Sequence, residues 1–120
     1  VSIVTPMQVE ARLKNLSKLI DEAHDGLVTS ETNYHTIKAE YEIAMAKTLF
    51  DLAGRSKPTG GNYTVGERDA LALITNENLH TALAKSEALV KASRANVARL
   101  RVQVDIARSI GTSVRTGMEL

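Results

Sequence analysis

"DLAGRSKPTGGNYTVGE", residues 51–67, is the one clear place where the chain stops reading as helix. Gly54 follows the last apolar turn and suits a helix C-cap. Pro58, Gly60 and Gly61 do not comfortably continue a helix: proline lacks an amide hydrogen, and glycine leaves the α region at little cost. Directly after them, Thr64 and Glu67 have the spacing of a capping box. In that motif the threonine hydroxyl accepts from the third helical amide, and the glutamate reaches back to the threonine amide. One long helix therefore ends here and another begins.

Upstream, Thr5, Pro6 and Gln8 form a second helix start, with threonine as the cap, proline as the first helical residue and glutamine as the box partner. Apolar residues then recur at steps of three and four: Val9, Leu13, Leu16, Ile20, Ala23, Leu27, and again Tyr34, Ile37, Tyr41, Ala44. Near the end the pattern slips to Met45, Leu49 and Leu52. "HDGLVTS", residues 24–30, is its weak spot, since Gly26, Val28 and Thr29 lower helix propensity; a kink or frayed turn is expected there. The opening "VSIV", residues 1–4, reads as an apolar stub.

Downstream, Ala72, Leu79, Leu83, Val90, Val97, Leu100, Val104, Ala107, Val114 and Met118 form a heptad stripe, with Ser86 and Ser93 filling two inner positions. Gly111 and Gly117, among Thr112, Ser113 and Thr116, predict fraying at the C-terminus. The expected fold is all-α, a single coiled-coil-like hairpin of two long antiparallel helices: helix 1 about 6–53, loop 54–63, helix 2 about 64–116.

Composition supports helices. Hydrophobic residues are 43% but aromatic residues only 3%, so the apolar mass is Ala, Leu, Val and Ile rather than rings. The absence of cysteine excludes disulfides, thiolate metal ligands and a cysteine nucleophile. There is no secretory apolar region and no run long enough to span a bilayer, so a cytoplasmic setting and no membrane partner are expected. The net charge of +1 hides an asymmetry: residues 1–53 hold five Lys/Arg against eight Asp/Glu, and residues 84–120 hold seven against three. Opposed halves suit an antiparallel pair. A two-helix seam containing Ala and Ser is nevertheless thin for independent stability. A second apolar line, Ala98, Val102, Ile106 and Ile110 with Ala95 beside it, lies off the stripe and reads as a surface for another copy or a partner protein. Scattered surface aliphatics are the plain alternative. A homo-oligomer is the expectation.

Little in the chain points to catalysis. His24, His35 and His80 do not pair at helical zinc spacing, and His24 and His35 would stand about 16 Å apart on a helix, so no metal site is expected. Carboxylate pairs such as Asp21 and Glu22, or Glu40 and Glu42, read as solvated helix residues. No nucleophile elbow is present, and no Gly-Lys-Ser/Thr follows the loop glycines. The "NYT" sequon at 62–64 carries little meaning without a secretory signal. The reading is a non-enzyme without a cofactor.

The basic residues say more. Arg94, Arg101, Arg108 and Arg115 recur every seven residues, a column of cations about 10 Å apart on one side of a helix. With Val97 and Val104 at the first heptad position, all four occupy the flank beside the seam, where coiled coils carry interhelical ion pairs. They suit pairing with Glu10, Asp21, Glu22 or Asp25 on helix 1. They also suit a phosphate-reading face, with Lys91 and Arg99 off the row and Ser109, Thr112, Ser113 and Thr116 as neighbouring hydroxyls. Both readings stand at this point, although stacking aromatics are missing near the row.

Three stretches together, "AEYEIAMAKTLFDLAG" (39–54), "TVGERDALA" (64–72) and "LRVQVDIARSIGTSVR" (100–115), resemble a loose group of small helical hypothetical proteins of tailed bacteriophages. In that group a Tyr-and-Ala helix ends at a glycine, a "T-V-x-E-R" helix start follows, and a terminal turn carries Arg, Ser, a hydrophobic residue and Ser, here Arg108, Ser109, Ile110 and Ser113. Such genes often lie beside recombination and single-strand annealing genes. The resemblance implies a setting, the cytoplasm of an infected bacterium near DNA metabolism, and no functional residue. The leading expectation is an accessory protein of phage DNA replication or recombination. It would act through protein contacts, with nucleic-acid contact along the arginine row as a further element. The alternatives are a modulator of a phage or host protein without DNA binding, and a scaffold-like component of virion assembly.

Overall fold

The computed structural model describes residues 4–119, the side chains of Met118 and Glu119 excepted; residues 1–3 of the apolar stub and the Met118 side chain of the stripe lie outside it. The chain is all-helical in the order α1 (Pro6–Ala53), α2 (Val65–Thr75) and α3 (Glu77–Glu119). Both capping boxes form. The Thr5 amide donates to Gln8 Oε1 at 2.9 Å and the Gln8 amide to Thr5 Oγ1 at 3.2 Å. The Thr64 amide donates to Glu67 Oε1 at 3.2 Å and the Glu67 amide to Thr64 Oγ1 at 3.1 Å.

The expected second helix, about 64–116, is two helices. Asn76 leaves helical geometry, with φ −106° and ψ 25°, and caps α2. Its Nδ2 donates to Ala72 O at 2.9 Å and to Thr48 Oγ1 at 3.0 Å, and lies 3.7 Å from the Met45 sulfur. A short amide side chain that bonds nearby backbone and a neighbouring helix competes with helix continuation. This explains the break between two apolar runs that share a period.

Two expected weak points are continuous helix. α1 passes through residues 24–30 without a break. Gly26 is exposed, Thr29 Oγ1 donates back to Asp25 O at 3.0 Å, and Leu27 and Ser30 sit half-buried and buried at seam spacing. Burial on that face outweighs a glycine penalty of about 1 kcal/mol. α3 likewise runs through Gly111 and Gly117 to Glu119. Gly111 is a buried seam residue, and a Cβ built on it would lie 2.9 Å from Val9 Cγ1. The glycine there makes room for α1.

The chain forms two compact units, one of residues up to Thr29 together with those from Lys91 onward, the other Ser30–Val90. In the first, α1 and α3 run antiparallel around Leu16, Leu100 and Ala107, with Leu13, Ile20, Ala23 and Val104 packed against them. Leu16 is fully buried, so truncating it to alanine costs about 2–5 kcal/mol. In the second unit the chain again runs antiparallel, the Tyr41 and His80 rings lying 5.7 Å apart. Ala72 of α2 is fully buried there. Met45, Leu49 and Leu52 are half-buried, so the slip in α1's pattern is a widening of its buried face where α2 joins.

Between α1 and α2, Gly60 N donates to Lys57 O at 2.9 Å, closing a turn with Pro58 at its second position. Gly60 and Gly61 take φ of 93° and 82°, and Ser56 bridges Asn62. Gly54 stays out of the left-handed region expected of a glycine cap; its amide donates to Asp51 O at 3.2 Å and tightens the last turn instead. Lys57 Nζ lies 2.6 Å from Glu67 Oε1, tying the loop to the first turn of α2.

Candidate functional site

All four row arginines are exposed on α3 within the first unit. Arg94 and Lys91 are already engaged in polar contacts. Arg101 Nη2 lies 3.4 Å from His24 Nε2 of α1, a contact that needs the imidazole lone pair. Arg108 and Arg115 line a groove of about 410 Å³ with Glu10, Leu13, Gly111 and Thr112. Arg108 also borders a second groove of about 480 Å³, beside Lys14, Ser17, Ile20 and Val104. Sharing Arg108, the two form one furrow along the flank of the seam. Gly111 lowers its floor because it carries no side chain.

For Arg101, Arg108 and Arg115, the carboxylate pairing expected on the flank is not what α1 supplies. Asp21, Glu22 and Asp25 are exposed and, among the described residues, in no ion pair; Arg101 meets His24 instead. Arg108 and Arg115 have no described carboxylate in ion-pair reach, although Glu10 lines their groove. The reason is heptad register. Glu10, Ser17, His24 and Glu31 follow one another every seven residues along one flank of α1, so that serine and histidine take its middle positions, whereas Asp21, Glu22 and Asp25 sit elsewhere around the helix. That second row was readable in the sequence by the spacing that revealed the arginines. Lys14 and Ser17 are the furrow residues that reasoning missed.

Arg99 is not part of this furrow. Its Nη2 donates to Asn96 Oδ1 at 2.7 Å, and it lines a separate groove with Leu19, Glu22 and Gly26. Thr112 Oγ1 donates to Arg108 O at 3.1 Å, so its proton is not directed at a ligand, whereas Ser17 remains a donor facing the furrow. Of the second apolar line, Val102, Ile106 and Ile110 are 56%, 55% and 44% exposed, and Ala98 is exposed too. Among the described residues no helix is long and apolar enough to cross a membrane. The chain matches no family model, no curated protein and no solved structure.

Chemically, Arg101, Arg108 and Arg115 are hydrogen-bond donors with fixed positive charge and, among the described residues, no ion-pair partner. Guanidinium groups carry planar, permanently charged forks suited to phosphate or carboxylate. With successive arginines about 10 Å apart, they match an extended polyanion better than one small anion.

Proposed function

We propose that this chain is a non-enzymatic helical accessory protein whose arginine flank holds an extended phosphate backbone while its exposed apolar lines engage protein partners. The observation that carries the reading is the furrow. Arg108 and Arg115 line it with Lys14 and Ser17, and Glu10, the one carboxylate in its lining, forms no ion pair with either arginine. The setting, phage DNA replication or recombination in the bacterial cytoplasm, rests on the resemblance of the three sequence stretches alone. The α3 line Ala98, Val102, Ile106 and Ile110 is the seat for a protein contact.

The test is a fluorescence titration with single- and double-stranded oligonucleotides at two salt concentrations, using the wild type and a variant with Arg94, Arg101, Arg108 and Arg115 all changed to Gln. Each phosphate contact contributes about 0.9 to the slope of log affinity against log salt on duplex and about 0.7 on single strands. The variant is expected to fold and to lose two to four such contacts. Wild-type protein that shows no salt-sensitive binding even at low ionic strength overturns the phosphate reading, and leaves a protein modulator or assembly component acting through the apolar surfaces alone.

A further inference from the structure

α1 carries a second heptad stripe on the side away from its buried one. Ala39, Ile43, Ala46, Phe50 and Ala53 follow at steps of four and three, all within the Ser30–Val90 unit and all exposed. Phe50, the one phenylalanine of the chain, is 84% exposed, and Ile43 is 56% exposed. The stripe runs for about 21 Å, four turns of helix. Single exposed aliphatics are ordinary on a protein surface, but a phenylalanine and an isoleucine continued by three alanines in strict heptad spacing form a packing face.

We infer that this face receives the same face of a second copy of the chain, running antiparallel. The alternation of sizes is self-complementary. In an antiparallel heptad pair, the two seam positions of one helix face the opposite positions of its partner. Every layer then sets an alanine against a large side chain: Ala46 against Phe50 of the second copy, Ile43 against Ala53 of the second copy, and the reverse by symmetry. A parallel pair would stack phenylalanine on phenylalanine and leave voids between alanines. Charge selects the register. In this one Lys47 faces Gly54, and Glu42 faces Leu49, of the second copy. Sliding by one heptad would bring Glu42 onto Glu42 and Lys47 onto Lys47 at the twofold axis.

The stripe shares no residue with the arginine furrow or with the α3 line, so its failure leaves the phosphate reading intact. The test is sedimentation equilibrium over a wide concentration range, with far-ultraviolet circular dichroism to confirm helix content. The wild type is expected to be a dimer, and Ile43→Glu plus Phe50→Glu a monomer. Phe50→Ala, which removes little from the folded monomer, should weaken association at least about tenfold. Ala46→Leu should weaken it too, because the added side chain meets Phe50 of the second copy, although leucine is well tolerated at an exposed helical site. A monomeric wild type overturns the inference. So does a dimer that survives the Ile43/Phe50 pair, or one that Ala46→Leu tightens.

Discussion

Gly111 and Gly26 are both helical glycines, and their replacement by alanine should shift stability in opposite directions. Alanine is favoured over glycine in a helix interior by about 1 kcal/mol. At Gly26 nothing lies within 4 Å of the new Cβ, so Gly26→Ala should realise that gain, about 4 °C in Tm for a chain of this length. At Gly111 the new Cβ would stand 2.9 Å from Val9 Cγ1. Val9 is 8% exposed and β-branched, with one strongly preferred rotamer in a helix, so its methyl cannot swing aside freely. Overpacking of this kind costs about 1–3 kcal/mol, which exceeds the propensity gain. Gly111→Ala is therefore expected to destabilise by about 1 kcal/mol net. In a Val9→Ala background the clash disappears, and Gly111→Ala should become stabilising, a sign change that a double-mutant cycle isolates. The assay is thermal and urea denaturation followed by circular dichroism, all variants at one protein concentration because association shifts the midpoint. A Gly111→Ala midpoint raised as much as that of Gly26→Ala would refute the close approach of α1 and α3 at this layer.

Asn76→Ala removes the Nδ2 bonds to Ala72 O and Thr48 Oγ1. The loss expected is about 1–2 kcal/mol in urea unfolding, and a variant as stable as the parent would show that the α2–α3 corner does not depend on the amide. The Glu67 carboxyl is held below its ordinary value by the hydrogen bond from Lys57 first, and by the Thr64 amide. A lowered folded-state pKa adds stability that is complete above the ordinary glutamate range and is lost as pH falls through the lowered value. Thermal midpoints against pH should therefore fall more steeply in acid for the parent than for Glu67→Gln, and parallel curves would exclude the link.

Much of the architecture was legible in the chain because helices announce themselves locally. Both capping boxes, the glycine-rich turn and the three-and-four spacing are set by side chains within a few residues of one another. They predicted the ends of α1 and the start of α2 correctly. The arginine row was legible for the same reason, since a seven-residue repeat fixes a helix face before any partner is known. Tertiary packing decided the points where local propensity gave the wrong answer. Gly26 and Gly111 read as weak helix, yet one lies on a helix held by its buried face and the other serves as the clearance for Val9. Asn76 read as one more helical residue, and became a corner because Thr48, 28 positions away in sequence, offered its amide a partner. The furrow needed both helices in register. Which side chains of α1 stand opposite the arginines depends on how the seam is phased, and that phase is set by the mutual packing of Leu16, Leu100 and Ala107 rather than by any one segment.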